Sequence, residues 1–165
     1  MEVPEHLDRC RSIVGRLRDA LPVGLPVPGG MDVDTEELVR MAEWKLSEAE
    51  RALEEGPESP AVAEAHQAVE LLVKAALREL DVEPPRTHDI RRLLGVLTTE
   101  LLDLGEGDLA VEVRRIAREH RDTLASLLEG YFSLFEPPFE GDAEEVVRAA
   151  GKVFEDLRRI LEKVR

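Results

Sequence analysis

The breaks in this chain constrain its fold more than anything between them. Gly56-Pro57, Pro84-Pro85, Gly105-Glu-Gly107 and Pro137-Pro138 divide it into runs long enough for several helical turns. Within each run, apolar or small residues return at spacings of three and four. No run alternates apolar and polar residues as a half-buried strand does, and no Asn-Gly hairpin turn occurs. From Thr35 to about Glu55 the stripe is Leu38, Met41, Ala42, Ala49, Ala52 and Leu53, with Asp34 as a helix cap. Ser59-Pro60 opens a second helix to about Leu80, since Pro suits the first helical position, with Val62, Val69, Val73, Ala76 and Leu77 on its stripe. Thr87 or Asp89 caps a third helix through Leu101, a fourth spans Asp108 to about Phe132, and Asp142 caps a last one reaching the C-terminus. The expected fold is all-α: an antiparallel up-and-down bundle of four to five helices plus an N-terminal helix.

The charge pattern separates residues 1–30 from 31–165. The first segment holds four acids and four bases, whereas residues 31–81 carry fourteen acids against five bases, a net of −9. Pro4 to Leu21 reads as a short amphipathic helix, with Leu7, Ile13, Val14, Leu17 and Leu21 on one face, followed by a Pro/Gly linker. The whole chain has 22 Lys and Arg against 36 Asp and Glu, a net of −14, which repels a polyanion unless a local basic patch overrides it. No apolar run could span a bilayer and no basic-then-apolar leader opens the chain, so a cytoplasmic location is expected and a membrane partner is not. Cys10 is the sole cysteine, and neither a metal-ligand cluster nor a P-loop is present, so no metal or cofactor is expected. Eighteen of the 22 cations are Arg and Asn is absent, a bias that points to a thermostable protein.

One stretch, Ala65 to Leu94, carries a more specific pattern. It reads Ala65-x-Gln67-Ala68-x-Glu70-x3-Lys74-Ala75-x-Leu77, then a Pro-Pro corner, then Thr87-His88-Asp89 opening the next helix. This resembles the HEPN domain family, with Ile90 where Leu is usual, and the helix order extends the likeness over residues 34–163. The resemblance implies a compact helical bundle, frequently dimeric, often encoded beside or fused to a minimal nucleotidyltransferase. Some members are metal-independent ribonucleases, often toxins of toxin-antitoxin pairs; others bind nucleotides or are noncatalytic. Catalytic members carry Arg-x(4–6)-His in a site completed across the dimer. This chain departs near the end of its fourth helix, where Tyr131-Phe132-Ser133-Leu134 replaces the Arg-Tyr-Pro of that branch and no histidine follows.

The candidate residues follow from these patterns. Arg114 or Arg115 with His120 satisfies the family spacing, and an imidazole beside a guanidinium suits general acid-base work on an RNA phosphate. On a straight helix Arg115 and His120 lie roughly 140° apart, so they need a kink or a second subunit to converge. His120 also shares a face with Leu109, Val113, Ile116 and Leu124, which suits plain burial. Arg114, Arg118 and Arg121 form an anion-binding stripe, against which stand Glu112, Glu119 and Asp122 as ready ion-pair partners. Arg86, His88, Arg91 and Arg92 could hold phosphate at the N-terminal end of the third helix; capping by Thr87 or Asp89 is the structural explanation of that corner. Glu70 and Lys74 read as an exposed i,i+4 pair, and His66 as a packing residue. Tyr131, Phe132, Phe135 and Phe139 gather most of the aromatics in one place. The functional expectation is a noncatalytic, homodimeric nucleotide- or RNA-binding accessory module, with a minimal nucleotidyltransferase as partner. Two alternatives stand beside it: a metal-independent ribonuclease, and a helical interaction module with no nucleotide role.

Overall fold

The computed structural model describes residues 34–56, 58–133 and 139–165; the N-terminal helix and linker expected in residues 1–30, and Phe135 with Pro137 and Pro138, lie outside them. Among the described residues there are six helices and no strand. They are α1 (Thr35–Glu55), α2 (Glu58–Glu79), α3 (Ile90–Asp103), α4 (Gly107–Glu119), α5 (Arg121–Phe132) and α6 (Ala143–Val164).

α2 is the axis on which the others pack: it contacts α1, α3, α5 and α6. Its sequence explains why. Ala61, Val62, Ala63, Ala65, Ala68, Val69, Leu72, Val73, Ala75, Ala76 and Leu77 are all buried, so the helix is apolar around most of its circumference. Its many alanines admit close neighbours, and at one crossing the neighbour is backbone. Gly130 of α5 lies so near α2 that a Cβ there would fall 2.1 Å from Val62 Cγ1. α6 shows the opposite pattern, a single stripe of Val147, Ala150, Val153, Phe154, Leu157, Ile160 and Leu161 facing inward.

Helix ends follow from local chemistry. α2 and α3 both stop in a six-to-one turn: Val82 N–H donates to Leu77 O at 2.9 Å and Glu106 N–H to Leu101 O at 2.8 Å. The left-handed residue of each turn is Asp81 (φ 58°) and Gly105 (φ 78°). Only three residues then separate α3 from α4, and the two pack together as an antiparallel hairpin. That hairpin returns the end of α4 to the end of the molecule where α3 begins.

One expectation needs correcting. The fourth body helix is not continuous to Phe132 but is interrupted at His120, whose φ of −105° and ψ of 20° leave the helical region. No Gly or Pro marks the spot. His120 instead donates from Nε2 to Asp156 Oδ2 of α6 at 3.2 Å, a tertiary bond that holds the corner.

Candidate functional site

Because α2 is enclosed on several sides, polar residues placed among its apolar ones become interior. Glu70 is only 6 % exposed and His66 is fully buried. The expectation of an exposed Glu70–Lys74 pair is therefore wrong in its setting. Lys74 Nζ donates to Glu70 Oε1 at 2.6 Å, and His88 Nδ1, arriving from the loop before α3, donates to the same oxygen at 3.0 Å. His66 Nε2 lies 3.4 Å from the other carboxylate oxygen. Burial by itself would raise the Glu70 pKa, but the facing His66, Lys74 and His88 outweigh it and hold the carboxyl down, at about 2. Tyr131 of α5 stands between the two imidazoles, its ring centroid 4.8 Å from His66 and 4.9 Å from His88. Residues from α2, the α3 approach and α5 thus meet on one carboxylate and one phenol ring. Each of these residues is visible in the sequence but their meeting is not; the signal is a Glu on an all-round apolar helix, whose carboxylate burial leaves in need of partners.

The start of α3 is occupied by its own cap. Thr87 Oγ1 accepts from Asp89 N–H at 3.1 Å and Asp89 Oδ1 accepts from Arg91 N–H at 3.0 Å. Arg91 Nε also lies 3.6 Å from Asp89 Oδ1. A carboxylate therefore occupies the N-terminal end of α3 and engages both the backbone and the side chain of Arg91. His88 makes no cap; it is turned to Glu70. Arg86 and Arg92 are exposed, with no carboxylate within 4.0 Å among the described residues.

The arginines of α4 and α5 divide into paired and unpaired. Glu119 is taken by Arg115 at 2.9 Å and Glu112 by Lys163 of α6 at 3.1 Å. The acids expected to neutralise the stripe are thus engaged elsewhere, or, for Asp122, exposed without a pair among the described residues. Arg114 and Arg118 keep their spacing on α4, but the break at His120 places Arg121 on α5, so the expected single-helix stripe is divided between two helices; all three remain exposed, with no carboxylate within 4.0 Å among the described residues. Since α3 and α4 form a hairpin, Arg118 and Arg121 fall at the same end of it as Arg92. His120 is mostly buried and bonded to Asp156, which also accepts from Arg159 Nη1 at 3.3 Å. The Arg115 guanidinium has a raised pKa, chiefly through its hydrogen bond and charge contact with Glu119 and also through the charges of Asp156 and Glu112. Arg115 and His120 do not bond to each other but share the field of Asp156.

Among the described residues no group of His, Cys, Asp and Glu could hold a metal ion, and no helix is long and apolar enough to cross a membrane. A groove of about 590 Å³ between α1 and α6 is floored by Leu46 and Phe154 and rimmed by both charge signs, and no residue nominated from the sequence lines it.

A family model described as HEPN domain matches residues 35–162. No curated protein and no solved structure matches the chain.

Proposed function

The chain belongs to the HEPN domain family, and from that premise we propose that it is a nucleotide- or RNA-binding accessory module with no chemistry of its own. It acts as a homodimer and partners a minimal nucleotidyltransferase. One observation carries the binding reading: in a chain of net charge −14, Arg114, Arg118 and Arg121 stand exposed and unpaired among the described residues, while of the three acids beside them Glu112 is held by Lys163 and Glu119 by Arg115, leaving three cations against the single exposed Asp122. A free guanidinium fork matches phosphate oxygens, and Arg86 and Arg92 are likewise exposed without an ion pair among the described residues. Titrating the full chain into fluorescein-labelled RNA at low salt tests this. Saturable binding that drops about tenfold or more in the Arg114→Ala/Arg118→Ala/Arg121→Ala variant supports it; absence of binding by the wild type leaves only an interaction module.

A second reading rests on the His120–Asp156 contact. A carboxylate on one imidazole nitrogen fixes the tautomer and leaves the other nitrogen free to take a proton, the arrangement a metal-independent ribonuclease needs beside Arg114 or Arg115. RNA cleavage in excess chelator that is lost in His120→Ala would put this reading first. Intact RNA keeps the accessory reading.

A further inference from the structure

Three rings form a ladder at the junction of the α3 approach and the end of α5. His88 and Tyr131 lie 4.9 Å apart, and Tyr131 and Phe132 lie 5.6 Å apart at 70°, an edge-to-face pair. Its inner rung, Tyr131, is packed against buried His66. Its outer rungs are open to solvent: His88 is 55 % and Phe132 54 % exposed. Phe132 differs from the other exposed apolar side chains, such as Trp44 and Val111, in packing edge-to-face on a ring that itself contacts a second exposed ring. The cations next to the ladder in sequence, Arg86 and Arg92, are free, while the nearby acid Asp89 is occupied by the α3 cap and Arg91.

We propose that the exposed faces of His88 and Phe132 form a stacking platform for unpaired nucleobases, so that the ligand of this module is single-stranded RNA. The proposal deepens the RNA-binding reading above and rests on it. Aromatic rings beside a cationic track bind single strands because each unpaired base offers a π-face, which a duplex keeps inside its own stack. Rigidity strengthens the platform: the hydrogen bond to Glu70 and the contact with Tyr131 hold the His88 ring before any ligand arrives, so little ordering of that ring is left to oppose binding. The charge setting favours nucleic acid over an apolar protein surface, since Arg86, two residues before His88, and Arg92, in the first turn of α3, are exposed and without an ion pair among the described residues.

The test is fluorescence anisotropy with a labelled twelve-nucleotide RNA, free and annealed to its complement, against the wild-type chain, Phe132→Ala and Phe132→Tyr. Circular dichroism melts verify that each variant folds. The wild type should prefer the free strand; Phe132→Ala should weaken that binding about 5- to 100-fold and leave duplex binding unchanged, and Phe132→Tyr should restore it. Equal affinity for free and annealed RNA overturns the platform while leaving phosphate binding by the arginines in place. So does a folded Phe132→Ala that binds the free strand unchanged, including the case in which it alters only the oligomeric state and thereby assigns the ring to a protein contact. Failure to bind either RNA rejects the parent reading itself.

Discussion

Glu70 stays ionised inside the bundle because three nitrogen-bearing side chains converge on it. Its pKa of about 2 lies below the unperturbed 4.5, so as pH falls the unfolded chain takes up the proton first. The stabilisation is therefore complete above about pH 4.5 and is lost as pH drops through the folded-state value. Its ceiling is about 3 kcal/mol at 1.36 kcal/mol per pKa unit. Urea midpoints measured from pH 6 to pH 2 should fall more steeply for the wild type than for Glu70→Gln; parallel curves would remove Glu70 from this role. A second residue-scale prediction concerns Gly130, where an added Cβ would lie 2.1 Å from Val62 Cγ1 and 2.8 Å from Val62 Cβ. Gly130→Ala should cost about 1–3 kcal/mol by overpacking, and Val62→Ala in the same chain should recover part of the loss because it removes one of the two clashing atoms. The Glu70–Lys74 spacing was visible in the sequence, but its burial was not: burial depends on α2 being enclosed by four other helices, which no local pattern states.

At the scale of elements, the helix ends were legible because their chemistry is local. Gly105, Pro84-Pro85, Asp89 and Asp142 each act on the few residues beside them; Asp142 caps α6 as expected, whereas α1 begins after Asp34 without a side-chain cap hydrogen bond from it. The break at His120 was illegible for the converse reason: its cause, Asp156, lies thirty-six residues away on another helix. The same distance problem hid the release of the arginine stripe, since Glu112 is engaged from α6 by Lys163. The turn after α2 gives a clean test of local chemistry. Asp81 occupies the left-handed position that Gly fills after α3, so Asp81→Gly should stabilise the protein by about 0.5–1 kcal/mol, read as a rise in Tm. Gly105→Ala should lower Tm by a similar amount. Removing the α3 cap with Asp89→Ala should cost about 1 kcal/mol and leave Arg91 with one fewer partner.

For the molecule as a whole, a charge of −14 and RNA binding are compatible only if exposed cations locally outnumber unpaired acids. The hairpin of α3 and α4 brings Arg118 to the end where Arg92 lies, and the ion pairs to Lys163 and Arg115 engage Glu112 and Glu119, leaving Asp122 exposed among the acids beside the arginines. The all-α class was readable from the breaks and the helical periodicity alone. The binding surface was only half readable, because sequence shows which arginines exist but not which are already paired. The most direct measurement is the salt dependence of single-stranded RNA binding by the wild type and by Arg114→Ala/Arg118→Ala/Arg121→Ala. Each phosphate contact contributes about 0.7 to the slope of log K against log salt, so losing three should flatten the slope by about 2. A triple variant that binds with the wild-type slope and affinity would contradict the account.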